Sequence, residues 1–401
     1  MFQLSLTAIV LSFVLVSFGQ IKNGKDSLHA DTTHIKVTLL GTGTPQPGME
    51  RFGPSILVQA GGENLLFDAG RGCLQRLRQI NLTYDKINAL FLTHLHSDHI
   101  VGLPDLWLTG WLLSNRATRL NIFGPTGTSE MIINLRKAFA FDIKMRIEDD
   151  KAPEEGSRFI VNEIREGVVY EENGVRVIAF EVDHFPIVPA FGYRIEYNSH
   201  SVVLSGDTRY SENLIRFAKG TDMLIHEVVI APETLQKFDP EYHIFAHHTT
   251  IEQASKIFDL IKPKLAAYSH IVKLHGLNEQ ELAKRTKANY SGRFIIGEDL
   301  MDFSIGDTVV VNAFHFRQLT PYSTTGNADI RNLAAPIGTN WIASAGPLAA
   351  TGLCGNTPQS PLLSRIHSGI NFPFAETTNG TASGVHGKSS LGQSRLAIAK
   401  D

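Results

Sequence analysis

Residues 91–100 read FLTHLHSDHI, a stretch that places His94, His96, Asp98 and His99 within six positions. The apolar INALFLTH predicts a strand that carries this cluster at its carboxyl end. Neutral imidazole and carboxylate groups are ligands that Zn²⁺ and similar divalent ions prefer. The alternative, a chance group of surface histidines, leaves the regular spacing unexplained. The stretch therefore predicts a metal site at a strand end.

Four ligands in one loop cannot complete two coordination shells, so further donors are expected at other strand ends. FEVDHFP places His184 after a predicted strand, VVLSGDTRY places Asp207 after another, and LAAYSHI places His270 after a third. Taken singly, each has an ordinary interpretation as a packed histidine or a helix-capping aspartate. Together with the first cluster they indicate one site for two ions, which would sit about 3.5–4 Å apart and activate water.

The rest of the chain has the composition of a soluble globular protein, with 401 residues, 43% hydrophobic and 19% charged. Strands and helices alternate over residues 35–316, which predicts an α+β domain of two similar halves. Residues 317–401 are rich in Gly, Ser, Thr, Asn, Pro and Ala, and predict a mostly disordered tail, with a small accessory module as the alternative. Only Cys73 and Cys354 are present, so a disulfide framework is excluded.

The amino-terminal residues 1–19 predict a signal peptide, and residues 20–34 a polar linker. An uncharged apolar run extends from about Leu4 to Phe18 and ends in a small-x-small pattern suited to signal peptidase. The first basic residue is Lys22, so the usual positive start is absent. The alternatives are a buried helix or an uncleaved membrane anchor. We therefore expect a secreted or periplasmic protein with no stable membrane span after signal removal.

The motifs THLHSDH, LLGTGTPQPGMERFGPS, LLFDAG, VDHFPIVPAFGYRI, LSGDT and HEV resemble the metallo-β-lactamase superfamily, in the branch that holds ribonuclease Z and the zinc arylsulfatases. The resemblance covers about residues 35–312. It implies a four-layer αββα sandwich with a dinuclear zinc site, manganese being the alternative metal, and a homodimer as an expected assembly. The implied ligands are His94, His96 and His184 for the first ion, Asp98, His99 and His270 for the second, and Asp207 as the bridge.

The resemblance also implies catalytic roles for His248 and Glu227. His248 precedes Thr in YHIFAHHTT, and Glu227 follows His in a strand end, as in the ribonuclease Z pattern, where this pair assists the leaving group. A carboxylate beside an imidazole raises its pKa, which suits a general acid. Asp98 could orient the hydroxide or take its proton. His248 has packing or capping as its alternative, and Asp68 is either a partner of a ligand imidazole or a turn residue.

Other histidines and four candidate substrate contacts have more ordinary alternatives. We expect His226 in the core and place His243, His247 and His275 on the surface. Trp107 and Trp111, four apart in LPDLWLTGWLL, could wall an aromatic-accepting pocket, although core packing is favoured. Arg51 and Arg209 could pair with sulfate or phosphate oxygens, with surface charge as the alternative.

The expected substrate is a small-molecule ester rather than nucleic acid. Lys plus Arg total 37 against 40 acidic residues, so no basic field draws the chain to phosphate backbones. Ribonuclease Z carries a protruding tRNA-gripping arm between the positions of His184 and Asp207, and here only 22 residues separate them. The sequence therefore predicts a dinuclear-zinc hydrolase whose metal-bound hydroxide cleaves a sulfuric or phosphoric ester, as an arylsulfatase or phosphodiesterase does. The alternatives are a ribonuclease Z-type 3′-tRNA processing endonuclease, a β-lactam hydrolase and a non-catalytic metal-binding protein.

Overall fold

The structure, a computed structural model, describes residues 34–312. The predicted signal peptide, the linker up to residue 33, the predicted tail and Cys354 lie outside the described residues. Cys73 is a buried free thiol, and burial raises its pKa to about 12. Within residues 34–312, the helices are all too short or too polar to cross a bilayer.

Eight strands form the first sheet. They are β1 Ile35–Gly41, β2 Ser55–Ala60, β3 Glu63–Phe67, β4 Ala89–Phe91, β5 Leu120–Gly124, β6 Phe159–Glu163, β14 Asp302–Ile305 and β15 Val309–Asn312. Their spatial order is β15-β14-β1-β2-β3-β4-β5-β6. The pairs from β3 to β6 are parallel, whereas those from β15 to β3 are antiparallel.

Seven strands form the second sheet. They are β7 Gly167–Glu172, β8 Val175–Glu181, β9 Phe191–Tyr197, β10 His200–Leu204, β11 Met223–Ile230, β12 Leu265–Lys273 and β13 Phe294–Ile296. Their spatial order is β13-β12-β11-β10-β9-β8-β7. Strands β10 to β13 are mutually parallel, and β8 runs in the same direction because it pairs antiparallel with β9, which pairs antiparallel with β10.

The helices of the described chain lie outside the layer between the sheets, and most of them cover an outer sheet face. They are α1 Cys73–Gln79, α2 Ser97–Ile100, α3 Leu103–Leu112, α4 Thr128–Ala138, α5 Ala140–Glu148, α6 Glu212–Ala218, α7 Tyr242–Phe245, α8 Ile251–Ile261 and α9 Glu279–Asn289. One apolar cluster joins the inner faces of the two sheets; within it Phe67 and Phe91 stack, and the ring of Tyr193 packs against both at a steep angle. A second cluster lies between the first sheet and α1, α3, α4 and α5, and a third between the second sheet and α6, α8 and α9. The predicted four-layer αββα sandwich is confirmed.

The direction of the strands determines where a site can form. Because β8, β10, β11 and β12 run in the same direction, their carboxyl ends meet at one edge of the second sheet. The carboxyl end of β4 brings residues 92–99 to this edge, since the backbone N–H of Phe191 donates to the carbonyl oxygen of Thr93 over 2.9 Å. All the predicted metal ligands follow or lie within these strands.

The two tryptophans proposed as substrate contacts lie in the core between the first sheet and its helices. Trp107 and Trp111 are both 0% exposed. Trp107 packs against Phe139 and Phe159, and the indole N–H of Trp111 donates to the carbonyl oxygen of Pro153 over 2.8 Å. A side chain with no exposed surface cannot wall an open pocket. This placement corrects the substrate-contact prediction in favour of its core alternative.

We expect Trp111→Phe to lower the free energy of unfolding more than Trp107→Phe, by about 1 kcal/mol, because only Trp111 loses a buried hydrogen bond. Both substitutions remove the same ring volume, so each serves as the control for the other. Urea unfolding followed by circular dichroism measures the difference. Equal losses in the free energy of unfolding would show that the bond to Pro153 adds nothing to stability.

Candidate metal centre

Two short segments after β4 carry four of the predicted ligands. His94 and His96 lie in the extended chain that follows β4, and Asp98 and His99 lie in α2. The ring of His94 is completely buried, and the ring of His99 is 1% exposed. The close spacing in sequence therefore becomes a close grouping in space because the chain turns into α2 directly after the strand.

The Oδ2 atom of Asp207 lies at the centre of the cluster. It is 3.2 Å from Nε2 of His270 and 3.3 Å from Nε2 of His99. It is also 3.9 Å from Nε2 of His184 and 4.0 Å from Nε2 of His94. One carboxylate thus faces imidazoles from both predicted ligand groups, which is the position that a bridging ligand requires.

The ligand atoms fall into two groups, each within 4.8 Å. His94, His96, His184 and Asp207 form one, and Asp98, His99 and His270 form the other. The structure therefore brings all seven predicted ligands together at one edge of the sandwich. His270 differs from the prediction in one respect, because it lies inside β12 at a register irregularity, with a backbone φ of 43°, and not beyond the strand end.

The unpaired polar atoms of the cluster fit a bound metal. Among the described residues, Nε2 of His94, Nε2 of His99 and Oδ1 of Asp207 are buried and have no hydrogen-bond partner. A buried polar atom without a partner is costly, and unsatisfied groups of this kind often mark an ion site. Because imidazole and carboxylate donors suit zinc and similar ions, the residues present can hold a pair of divalent cations.

The histidines of the first group are neutral at pH 7. Burial lowers the pKa of His94 well below its ordinary value and lowers that of His184 to about 4. Burial alone would also lower the pKa of His99, but the carboxylates of Asp207 and Asp68 outweigh it and raise the pKa well above its ordinary value. Neutral imidazole is the form that binds a metal, and the two carboxylates favour a cation at His99.

Hydrogen bonds behind the ligands fix their ring orientations. Nδ1 of His99 lies 2.7 Å from Oδ2 of Asp68, and Nδ1 of His184 lies 3.0 Å from the carbonyl oxygen of His247. Asp68 is 5% exposed and also accepts bonds from the backbone N–H and the hydroxyl of Thr93. Such bonds to Nδ1 leave Nε2 free to face an ion. This contact supports the interpretation of Asp68 as a partner of a ligand imidazole.

His248 and Glu227 lie beside the cluster. Nδ1 of His248 is 3.3 Å from Oε1 of Glu227, and His248 also shares a 4.8 Å grouping with Asp207 and His270. Glu227 is 2% exposed, and its Oε1 accepts a bond from the backbone N–H of Thr249 over 2.9 Å. Burial alone would lower the pKa of His248, but the carboxylate of Glu227 raises it to about 9. The geometry matches the predicted pair.

The two arginines proposed for substrate binding are held by the protein itself. Arg209 donates from Nε to the carbonyl oxygen of Ala246 over 2.6 Å and from Nη2 to that of Phe185 over 2.8 Å. Arg51 donates to Thr42 over 2.6 Å and pairs with Glu279 at 3.3 Å. These contacts do not support the predicted anion-binding roles. Arg209 instead ties the segment of His184 to the segment of His248.

The remaining histidines divide between core and surface. His226 is completely buried, as expected. His243 is exposed, and His275 pairs with Glu241 at 3.3 Å. His247 differs from the surface prediction, because it is half-buried with its ring centre 6.0 Å from that of His184. The sequence analysis did not identify Thr93, which directly precedes His94 and donates two hydrogen bonds to Asp68.

Comparison with known proteins identifies the family. A family model described as "Anti-Pycsar protein Apyc1" matches residues 35–273, more than half of the chain. The ribonuclease Z of Mycolicibacterium gilvum (strain PYR-GCK) is 38% identical over 274 residues, which cover 66% of this chain and 94% of that protein. The chain belongs to the Apyc1 family and to the ribonuclease Z-like branch of the metallo-β-lactamase superfamily. A second relative, the ribonuclease Z of Mycobacterium bovis (strain BCG / Pasteur 1173P2), is 35% identical over 272 residues, or 66% of this chain and 96% of that protein.

Solved structures show the same metallo-β-lactamase fold. The metallo-β-lactamase fold protein YhfI from Bacillus subtilis is 20% identical with a TM-score of 0.53, covering 68% of this chain and 99% of that chain. A diphosphatase of the PhnP family is also 20% identical with a TM-score of 0.50, covering 69% of this chain and 100% of that chain. As a member of this metallo-β-lactamase branch, the protein is a metal-dependent hydrolase that acts on ester bonds.

We expect Asp207→Ala to lower the metal content, because the bridging position in this metallo-β-lactamase site is lost. Metal in protein purified without chelator is measured by inductively coupled plasma mass spectrometry, with two ions per chain expected for the unaltered protein. Asp183→Ala is the matched control, since Asp183 is an exposed carboxylate next to His184 and outside the ligand groups. Equal metal content in both variants would contradict the bridging position.

Proposed function

We propose that the protein is a phosphodiesterase of the ribonuclease Z type, with a pair of zinc ions as its metal. The observation that carries the proposal is the His248–Glu227 pair, 3.3 Å apart and adjacent to the seven-ligand cluster. The curated relatives, 35–38% identical over nearly their whole length, are named ribonuclease Z, which favours this activity over cleavage of a sulfuric ester. The expectation that nucleic acid is not a substrate is accordingly doubtful.

The residues of the chain divide the reaction between them. When bound, the metal pair supplies a water of lowered pKa and stabilises negative charge on the phosphoryl oxygens. Asp98 lies in the second ligand group, 3.3 Å from His270, where its carboxylate can orient the attacking water. His248 shares a grouping within 4.8 Å with Asp207 and His270, where its ring can donate a proton to the departing oxygen.

A proton donor matters more for a phosphodiester of a sugar than for an aryl sulfate. A sugar alkoxide is a strong base and leaves only when protonated, whereas a phenolate leaves readily without a proton. A buried histidine beside a carboxylate, which raises the pKa of its ring, is therefore most useful for the diester. Its presence supports the phosphodiesterase over the arylsulfatase.

The surroundings of the cluster favour a short phosphodiester. The connection between β8 and β9 spans only residues 182–190, and it carries His184 and the exposed side chains of Phe185 and Val188. No protruding arm can be built from so few residues, so a large folded RNA would lack the grip that the arm supplies. We propose a short RNA or a nucleotide diester as the substrate class.

We also propose that the enzyme acts outside the cytoplasm. The apolar run within residues 1–19 supports export, although these residues lie outside the described part of the chain. An exported phosphodiesterase would meet fragments of nucleic acid rather than tRNA precursors.

Four substrates test the proposal against its rivals in protein loaded with two equivalents of zinc. We expect turnover of a dinucleoside phosphate and of bis(p-nitrophenyl) phosphate, and at least about 100-fold lower kcat/KM for p-nitrophenyl sulfate and a chromogenic cephalosporin. Release of p-nitrophenol or of nucleotide measures the first three, and absorbance change the fourth. Preference for the sulfate or the cephalosporin would overturn the phosphodiesterase, and no turnover at all would indicate a non-catalytic metal-binding protein.

His248→Ala should lower kcat for a dinucleoside phosphate by about 10²–10⁴, because a sugar alkoxide then leaves without a proton. For bis(p-nitrophenyl) phosphate we expect a fall of less than about tenfold, because its leaving group needs no proton. His243→Ala is the control, since His243 is exposed and its Nδ1 lies 2.6 Å from the carbonyl oxygen of Pro240. Equal losses on both diesters in the His248 variant would rule out proton donation.

A further inference from the structure

A pocket of about 460 Å³ lies beside the metal centre. It is formed by the loop of residues 44–53, which connects β1 to β2, and by the residues at the starts of α1 and α3. A cavity of this volume is in the range of small-molecule sites. None of the catalytic steps described above uses it.

The pocket shares a wall with the ligand loop. A Cβ atom built on Gly53, which lines the pocket, would lie 3.1 Å from the carbonyl oxygen of Asp98. A Cβ atom built on Gly70 would lie 2.7 Å from the same oxygen. Backbone therefore packs directly on backbone here, and Gly53 lies between the pocket and the backbone of Asp98, a predicted ligand of the second ion.

Arg71 supplies an available positive charge at the pocket. Its side chain is exposed and makes no hydrogen bond or ion pair within residues 34–312. Its backbone is fixed, because its carbonyl oxygen accepts from the N–H of Gly53 over 3.0 Å. By contrast, Arg51 pairs with Glu279, and nearby Arg76 pairs with Asp299 at 3.0 Å. Arg71 is thus the cation at this pocket that can reach an anionic group.

The rest of the lining combines apolar surface with amides. Met49 is 83% exposed and Val101 is 47% exposed, so both present apolar surface that a flat ring would cover. Gln46 and Gln75 add amide groups that can bond to the edge of a base. Asp105 is the acid among the lining residues, and its carboxylate accepts bonds from Gln75 at 3.5 Å and Thr109 at 3.3 Å.

We propose that this pocket binds the nucleoside next to the scissile phosphodiester, with Arg71 contacting a phosphate or sugar oxygen. The proposal rests on the phosphodiesterase function and adds the place where the substrate is recognised. The apolar surface and the amides can contact the base and the sugar of a nucleoside, and the guanidinium can bind an anionic oxygen. Methyl or simple aryl groups would use only the apolar part.

Two diesters with the same leaving group test the pocket. Thymidine 5′-(p-nitrophenyl phosphate) carries a nucleoside, and methyl p-nitrophenyl phosphate does not. We expect Arg71→Ala to lower the ratio of their kcat/KM values about tenfold through KM, as loss of one charged hydrogen bond implies. Arg71→Lys should keep most of the preference. Arg165→Ala is the matched control, because Arg165 is exposed, unpaired in the described chain and outside the pocket.

Binding of thymidine 5′-monophosphate, measured by isothermal titration calorimetry, separates failure of the pocket from failure of the enzyme function. If Arg71→Ala turns over both diesters with an unchanged ratio of kcat/KM values and an unchanged Kd, the nucleoside pocket is ruled out and the phosphodiesterase function stands. No turnover with a weakened Kd would overturn the phosphodiesterase and support the pocket as a nucleotide site. No turnover with an unchanged Kd would overturn both.

Discussion

The buried carboxylate of Asp207 is the group on which the rest of the structure depends. Its Oδ2 atom lies within 4.0 Å of imidazole nitrogens from four histidines, which arrive from three different strands. A buried charge is costly unless neighbouring groups compensate it. Burial lowers the pKa of His94 and His184, so these two imidazoles are neutral, whereas the carboxylates of Asp207 and Asp68 outweigh burial at His99 and raise its pKa. Divalent cations bound by these imidazoles and carboxylates would compensate the buried negative charge.

Most of the fold and the ligand set could be predicted from the sequence. Apolar runs that end in His or Asp mark strand ends, and strands of one direction bring such ends to one edge of a sheet. This local signal sufficed for His184 and Asp207, which lie after β8 and β10. The spacing in THLHSDH predicted the ligands that follow β4. A short helix directly after this strand places Asp98 and His99 close to His94.

The substrate contacts could not be predicted in the same way. A tryptophan on one face of a helix looks the same whether that face meets a pocket or the core, and Trp107 meets the core. The partners of Arg209 lie 24 and 37 positions away, so its role as a clamp depends on long-range packing that no local pattern records. His270 lies inside β12 because a register irregularity turns its backbone, which the apolar run does not reveal. The availability of Arg71 likewise depends on long-range ion pairs, because Arg51 and Arg76 are bound to Glu279 and Asp299.

Anomalous diffraction tests the central claim most directly. Crystals of protein purified without chelator would be measured on both sides of the zinc absorption edge. The account predicts two anomalous peaks about 3.5–4 Å apart with the carboxylate of Asp207 between them. A single peak, or peaks that lie away from the histidines around Asp207, would contradict it.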